Sequence, residues 1–133
     1  MNKPIVVLDT NIFISAVFWK GKPYKIVNKA INQEIIVFIS QGIIKEIRKV
    51  LVRDFMLEKQ EIDNIIDAVA YFTHFIEPKE KIKVVKEDPD DDRIIECALA
   101  CSAQFIVSSD KHLLKLKKFR NIKIESPEEF LEN

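Results

Sequence analysis

Glycine is almost missing. The chain of 133 residues has two, Gly21 and Gly42. It therefore lacks the Gly-rich loop that cradles phosphates in nucleotide sites of the Rossmann or Walker kind. Cysteine and histidine are equally scarce, with two of each. No CxxC pair occurs, which disfavours a structural zinc site. Cys97 and Cys101 stand four apart on a predicted helix, so they share one face and read as buried apolar thiols, not as a disulfide. Neither a GxSxG elbow nor a Cys–His pairing supplies a nucleophile. No apolar run approaches the roughly 20 residues of a membrane span. "MNKPIVVLDT" has neither the apolar stretch nor the small-residue cleavage site of a signal peptide, so the expectation is a cytoplasmic protein with no membrane partner. An excess of one charge is also absent. With 21 basic and 21 acidic side chains, any surface for a polyanion must be local.

What is present is an alternation. Hydrophobic residues make up 47% and charged residues 32%, the balance of a globular domain, and the length predicts one domain over residues 1–133. "PIVVLD" (Pro4 to Asp9) and "IIVFIS" (Ile35 to Ser40) are short apolar runs typical of buried parallel strands. "KIKVV" (Lys81 to Val85), "QFIVSSD" (Gln104 to Asp110) and "NIKIES" (Asn121 to Ser126) predict three more. Helical periodicity marks "TNIFISAVF", Pro23 to Gln33, Gln41 to Arg53, Glu58 to Phe75, Asp91 to Ser102, "KHLLKL" and a terminal helix capped by Ser126 and Glu129. The prediction is an α/β three-layer sandwich: a mostly parallel, five-stranded sheet with helices on both faces. Ligands of such sheets bind outside the carboxyl ends of the strands.

Acids gather at that edge. The first strand ends at Asp9 and the strand "FIVSS" ends at Asp110, so if the two are neighbours their carboxylates share a crevice. On the helix from Gln41, Glu46 lies only about 40° from apolar Val50 at 100° per residue. In "VVKEDPDDDRIIECALA" (Val84 to Ala100), four aspartates and a glutamate precede an apolar helix face. Asp91 stands three and four residues before Ile94 and Ile95, near the middle of that face, while Asp90 and Asp92 project toward its two edges. Single acids at helix N-termini cap free N–H groups. Several aimed at one place repel one another unless a hard cation joins them. Mg²⁺ or Mn²⁺ suits such ligands and stabilises the charge of a phosphodiester displacement. At least one carboxyl of the metal-free cluster should then have a raised pKa. "LDTN" lacks the second acid of DxD phosphatases and the early acid pair of receiver domains.

Taken together, "VVLDTNIFISAVF", "EIRKVL" and "DPDDDRIIECALACSAQFIVSSDKHLL" resemble the PIN-domain ribonucleases, and most closely the toxin components of VapBC-type toxin–antitoxin systems. The resemblance runs in order along nearly the whole chain. It implies an endoribonuclease that uses Mg²⁺ or Mn²⁺ held by three or four acids, cutting single-stranded RNA. By position the first acid is Asp9, with Asn11 in the same motif; the second is Glu46; the fourth is Asp110, with Ser108 beside it. The third is Asp91 if the chain is matched to the family's "DPxDN" pattern, and Asp92 if it is aligned backward from Asp110. Asp91 is the choice here, Asp92 remains as a second metal ligand, and Asp88 caps or orients. Catalysis is thus expected from Asp9, Glu46, Asp91 and Asp110, with the metal on Asp9, Asp91, Asp92 and Asp110.

"KHLLKLKKFRNIK" follows Asp110 directly, and its position beside the acids makes Lys111 and Lys115 the candidates for contact with the RNA backbone. Phe18, Trp19 and Phe119 are expected in the core, with base stacking as the other use. The resemblance also implies two protein partners, a second copy of the chain and a small antitoxin. "DFMLEKQEIDNIIDAVAYF" offers an apolar helix face for either, or for packing within the monomer. A non-catalytic RNA- or antitoxin-binding module and a DNA-flap nuclease are the competing functions.

Overall fold

Val6, Val7 and Leu8 are fully buried, although consecutive residues of a strand point to opposite faces. Both faces of the strand that carries them, β1 (Ile5–Leu8), are therefore covered. The computed structural model describes residues 2–85 and 88–132; Glu87 of the acidic stretch lies outside the described residues. After β1 come α1 (Thr10–Phe18), α2 (Gly21–Ile31), β2 (Ile36–Ile39), α3 (Gln41–Phe55), α4 (Lys59–Phe72) and β3 (Thr73–Phe75). The chain continues through α5 (Pro89–Ala100), β4 (Phe105–Val107), α6 (Lys111–Leu116), β5 (Lys118–Phe119), β6 (Ile122–Glu125) and α7 (Pro127–Leu131). The sheet order is β3-β2-β1-β4-β6-β5, and every pairing is parallel except that of β5 with β6.

The described residues contain six strands where five are expected, and one of the five is elsewhere. Lys81 to Val85 forms no strand. Its amides are taken by side chains of α5: Ile82 N–H donates to Oε2 of Glu96 at 3.0 Å, and Val84 and Val85 donate to Oδ1 of Asp92 at 3.0 and 2.9 Å. The edge of β2 is filled instead by β3, the last residues of what periodicity assigns to a helix. Helix α4 stops there because Thr73 turns extended and its hydroxyl donates back to the carbonyl of Val69 at 2.9 Å. The sixth strand, β5, is two residues folded against β6, between Lys117 and Arg120, both at positive φ.

Asp92 is thus a structural acid by its contacts: 3% exposed, with two interior N–H groups on one oxygen. Asp92→Ala leaves both amides without an acceptor and is expected to cost about 2–6 kcal/mol, from 1–3 kcal/mol per unsatisfied group. Chemical denaturation would show it, whereas Asp92→Asn, which keeps a carbonyl oxygen, should lose much less. Cys97 and Cys101 are free and buried as expected, and burial pushes their thiols up to about 12 and about 11.

Candidate metal centre

The sheet reverses its order of addition between β1 and β4, which are parallel neighbours with Leu8 opposite Val107. The chain builds outward to β2 and β3 on one side and to β6 and β5 on the other. A crevice opens at such a point because the helices leave in opposite directions. Asp9 stands at the end of β1, its N–H bonded to the carbonyl of Val107 at 2.9 Å. Asp110 follows β4 as the N-cap of α6, with Oδ1 accepting from His112 N–H at 2.7 Å and Leu113 N–H at 3.3 Å.

Ser108 ties these two acids together. It is fully buried, donates from Oγ to Oδ2 of Asp9 at 2.6 Å, and accepts from the Asp110 N–H at 2.9 Å. From the other side α5 delivers its first turn. Pro89 at the first helical position starts it, and Asp88 caps it, accepting from Asp90 N–H at 3.0 Å. That geometry sends Asp91 inward, where it is 4% exposed. Carboxylate oxygens of Asp88, Asp91 and Asp110 all lie within 4.8 Å of one another. Glu46, in the second turn of α3, and Asp90 complete the wall, with Lys49 at 3.8 Å from Glu46 and 3.9 Å from Asp90.

Asp9, Thr10, Asn11, Glu46, Asp88, Asp90, Asp91 and Asp110 together line a cleft of about 50 Å³. Sites for organic ligands typically enclose about 300–1,000 Å³, so this cleft suits an ion and a few waters. Charge repulsion inside it is large. Burial first, and then the carboxylates of Asp9, Asp110 and Asp88, push Asp91 up to about 8. Burial also raises Asp9 to about 6, against the Ser108 hydrogen bond, which lowers it, and with Asp110 adding to the rise. Glu46 is raised by burial and by Asp90, with Lys49 opposing. One oxygen of Asp91, Oδ2, is buried with no hydrogen-bond partner. A buried, partnerless acceptor among carboxylates fits a hard divalent cation: the donors are all oxygen, and a cation would satisfy the orphaned atom and offset the crowding.

The structure therefore brings Asp9, Glu46, Asp91, Asp110 and Asn11 to one cleft, with Ser108 directly beneath. Asp92 is not among its lining residues; its carboxylate faces the Val84 and Val85 amides. Lys111 and Lys115 are exposed on α6, outside the lining. Two lining residues, Thr10 and Asp90, were given no role at the site by sequence, and Asp88 only that of capping or orienting. The signal for Asp88 is the "DPDD" spacing, which places the cap and Asp91 three residues apart across one helical turn.

Comparison with known proteins bears on the family and the fold. The family model described as PIN domain matches residues 5–112. No curated protein matches the chain. Among solved structures, VapBC2 from Rickettsia felis, bound to a DNA fragment from their promoter, is 18% identical with a TM-score of 0.67, covering 92% of this chain and 98% of that one. VapBC-1 from nontypeable Haemophilus influenzae is 17% identical with a TM-score of 0.65, covering 93% and 98%. The PIN domain of T. brucei RRP44 is 14% identical with a TM-score of 0.53, covering 98% and 80%. At these identities the likeness is one of fold.

Proposed function

This chain belongs to the PIN-domain family, a family of nucleases, and from that premise we propose that it is a metal-dependent endoribonuclease, the toxin of a toxin–antitoxin pair. The observation that carries the metal half is the buried, partnerless Oδ2 of Asp91 in a group of three acids. Mg²⁺ or Mn²⁺ would supply neutralisation of phosphodiester charge and a lowered pKa for water. Asp9, Asp91 and Asp110 would hold the ion, with Asp88 adjacent. Ser108 fixes the orientation of Asp9 through the 2.6 Å hydrogen bond and locks the Asp110 backbone to the same hydroxyl. Glu46, raised by burial and Asp90 and lining the cleft, would accept a proton or orient the attacking water. Asn11, exposed at the rim, can donate to a phosphate oxygen.

Single-stranded RNA is the substrate we favour, with Lys111 and Lys115 on α6 contacting its backbone just past Asp110. The fold shared with the VapBC structures supports the toxin role. An antitoxin needs a seat, and an apolar groove of about 620 Å³ between α1, α2 and α4, lined by Val17, Val27, Ile31, Ile65, Ala68 and Phe72, suits one amphipathic helix. We place the homodimer contact on the exposed helices as well. Among the described residues no helix is long and apolar enough to cross a membrane, and we propose that the protein acts in the cytoplasm.

The test is cleavage of a mixed-sequence single-stranded RNA and the matched DNA, with Mn²⁺ or with EDTA, by wild type and Asp9→Asn. RNA cutting that needs the metal and disappears in the variant is the expected result. RNA bound but uncut, equally by both proteins, would overturn the catalytic assignment and leave a binding module.

A further inference from the structure

Three aromatic rings meet where α1 and α3 end, away from the cleft. Phe18 and Phe55 stack in parallel, 4.3 Å between centroids and 5° between planes, and Trp19 leans on both at 5.9 and 5.7 Å. Trp19 is 67% exposed, against the expectation that it packs in the core, and Met56 beside Phe55 is 85% exposed. A solvent-facing Trp on a preassembled pair of rings is an uncommon use of apolar surface.

Its position relative to the acids is set by the same two helices. They meet first at the cleft, where Thr10 and Asn11 of α1 face Glu46 of α3. They meet again at the Phe18–Phe55 stack. Eight residues on α1 and nine on α3 separate the two meetings, about 12–14 Å at 1.5 Å per residue. Between them, on the stripe of α3 that begins at Glu46, stand Lys49 and Arg53, with side chains 58% and 55% exposed. Lys49 reaches back to Glu46 and Asp90, and Arg53 holds Asp54 at 2.8 Å. Cations followed by aromatic faces are what a single strand of nucleic acid needs: charge for the backbone and a flat surface for an unpaired base. A protein partner would require no charged strip leading to the acids.

We propose that Trp19, backed by Phe18 and Phe55, stacks a base of the single-stranded substrate while its backbone runs past Arg53 and Lys49 to the cleft. The platform rests on the nuclease assignment and adds where the strand lies and how much of it is held. At 3.4 Å per stacked nucleotide the separation corresponds to about four nucleotides.

Trp19 is the lone tryptophan of the chain, so its emission reports on the platform directly. Wild type in EDTA and Asp9→Asn in Mn²⁺ would each be titrated with a 12-nucleotide single-stranded RNA and with the same strand carrying abasic positions. Quenching by the first and little by the second is expected. Trp19→Ala should weaken binding about tenfold, with Trp19→Phe restoring much of it, and should raise KM for the 12-mer far more than it lowers kcat. RNA that binds without quenching, together with unaltered affinity in Trp19→Ala, would overturn the platform. So would a dimer that Trp19→Ala converts to monomer with no change in RNA affinity, which would assign the patch to a second copy. Cleavage without quenching sinks the platform alone, quenching without cleavage sinks the nuclease alone, and no RNA binding sinks both.

Discussion

Replacing Asp91 by Asn should abolish cleavage and, in the same protein, raise the melting temperature measured in EDTA at pH 8. Both effects have one cause. Asp91 is 4% exposed, one of its oxygens has no partner, and three other carboxylates crowd it. Its pKa near 8 means that the metal-free fold resists the ionised form. An amide has the same shape, no charge, and an N–H₂ that can donate to Asp110. The variant keeps the packing and loses the repulsion, while losing the ligand that a cation most needs. Activity should fall more than about 100-fold, beyond the 10–100-fold typical of losing a supporting residue around a metal. Opposite signs in stability and activity mark a functional site built at the expense of the fold. A melting temperature that drops in EDTA, with cleavage intact, would make Asp91 a structural acid and remove the metal site as drawn. The neighbouring acid supplies the contrast. Asp92 satisfies two buried amides, so its loss should destabilise the fold.

That contrast also shows where the sequence stops being informative. Asp91 and Asp92 are adjacent, identical in type and both buried. Helical phase puts the first near the middle of the apolar face and the second toward its edge, which still allows both as metal ligands; in the fold the first lines the cleft and the second faces the Lys81–Val85 segment. The partner that Asp92 finds there is a pair of backbone N–H groups, and no side-chain pattern announces it. The same contact explains the misplaced strand. "KIKVV" has strand composition, but three of its amides are bonded to side chains of α5 and not to a neighbouring strand. Thr73 to Phe75, by contrast, continues an apolar helical stripe, and pairing with the open edge of β2 overrides it. The switch point was legible because it depends only on two apolar strands, each followed by an acid and a helix. Trp19 was misjudged because local composition cannot distinguish the buried end of a helix from an exposed one.

The second large effect is a metal-free stability that falls as pH rises, and a stabilisation by metal that grows over the same interval. In the metal-free protein Asp9 titrates near 6 and Asp91 near 8, both above the ordinary carboxylate range. Over that interval the folded chain binds more protons than the unfolded one, so its stability falls as pH rises. The contribution is fully present below about pH 4, where unfolded aspartates are protonated too. It is lost as pH rises, the Asp9 share by about pH 6 and the Asp91 share by about pH 8. Thermal melts in EDTA should therefore show the melting temperature declining from pH 5 to pH 8.5. Asp91→Asn should flatten the upper part of that decline and Asp9→Asn the lower part. Mn²⁺ or Mg²⁺ should act hardest where the protons are gone. A cation binds deprotonated carboxylates, so its stabilisation, RT ln(1 + [L]/Kd), grows with pH as the protein's own stability shrinks. At pH 8 millimolar Mn²⁺ should raise the melting temperature clearly, and at pH 5 scarcely. A melting temperature that is indifferent to both pH and metal would mean that the acids are held apart by something other than their charge. The proton would then no longer stand in for the cation in this cleft, and Asp88, Asp91 and Asp110 would be three helix-end acids with no common task.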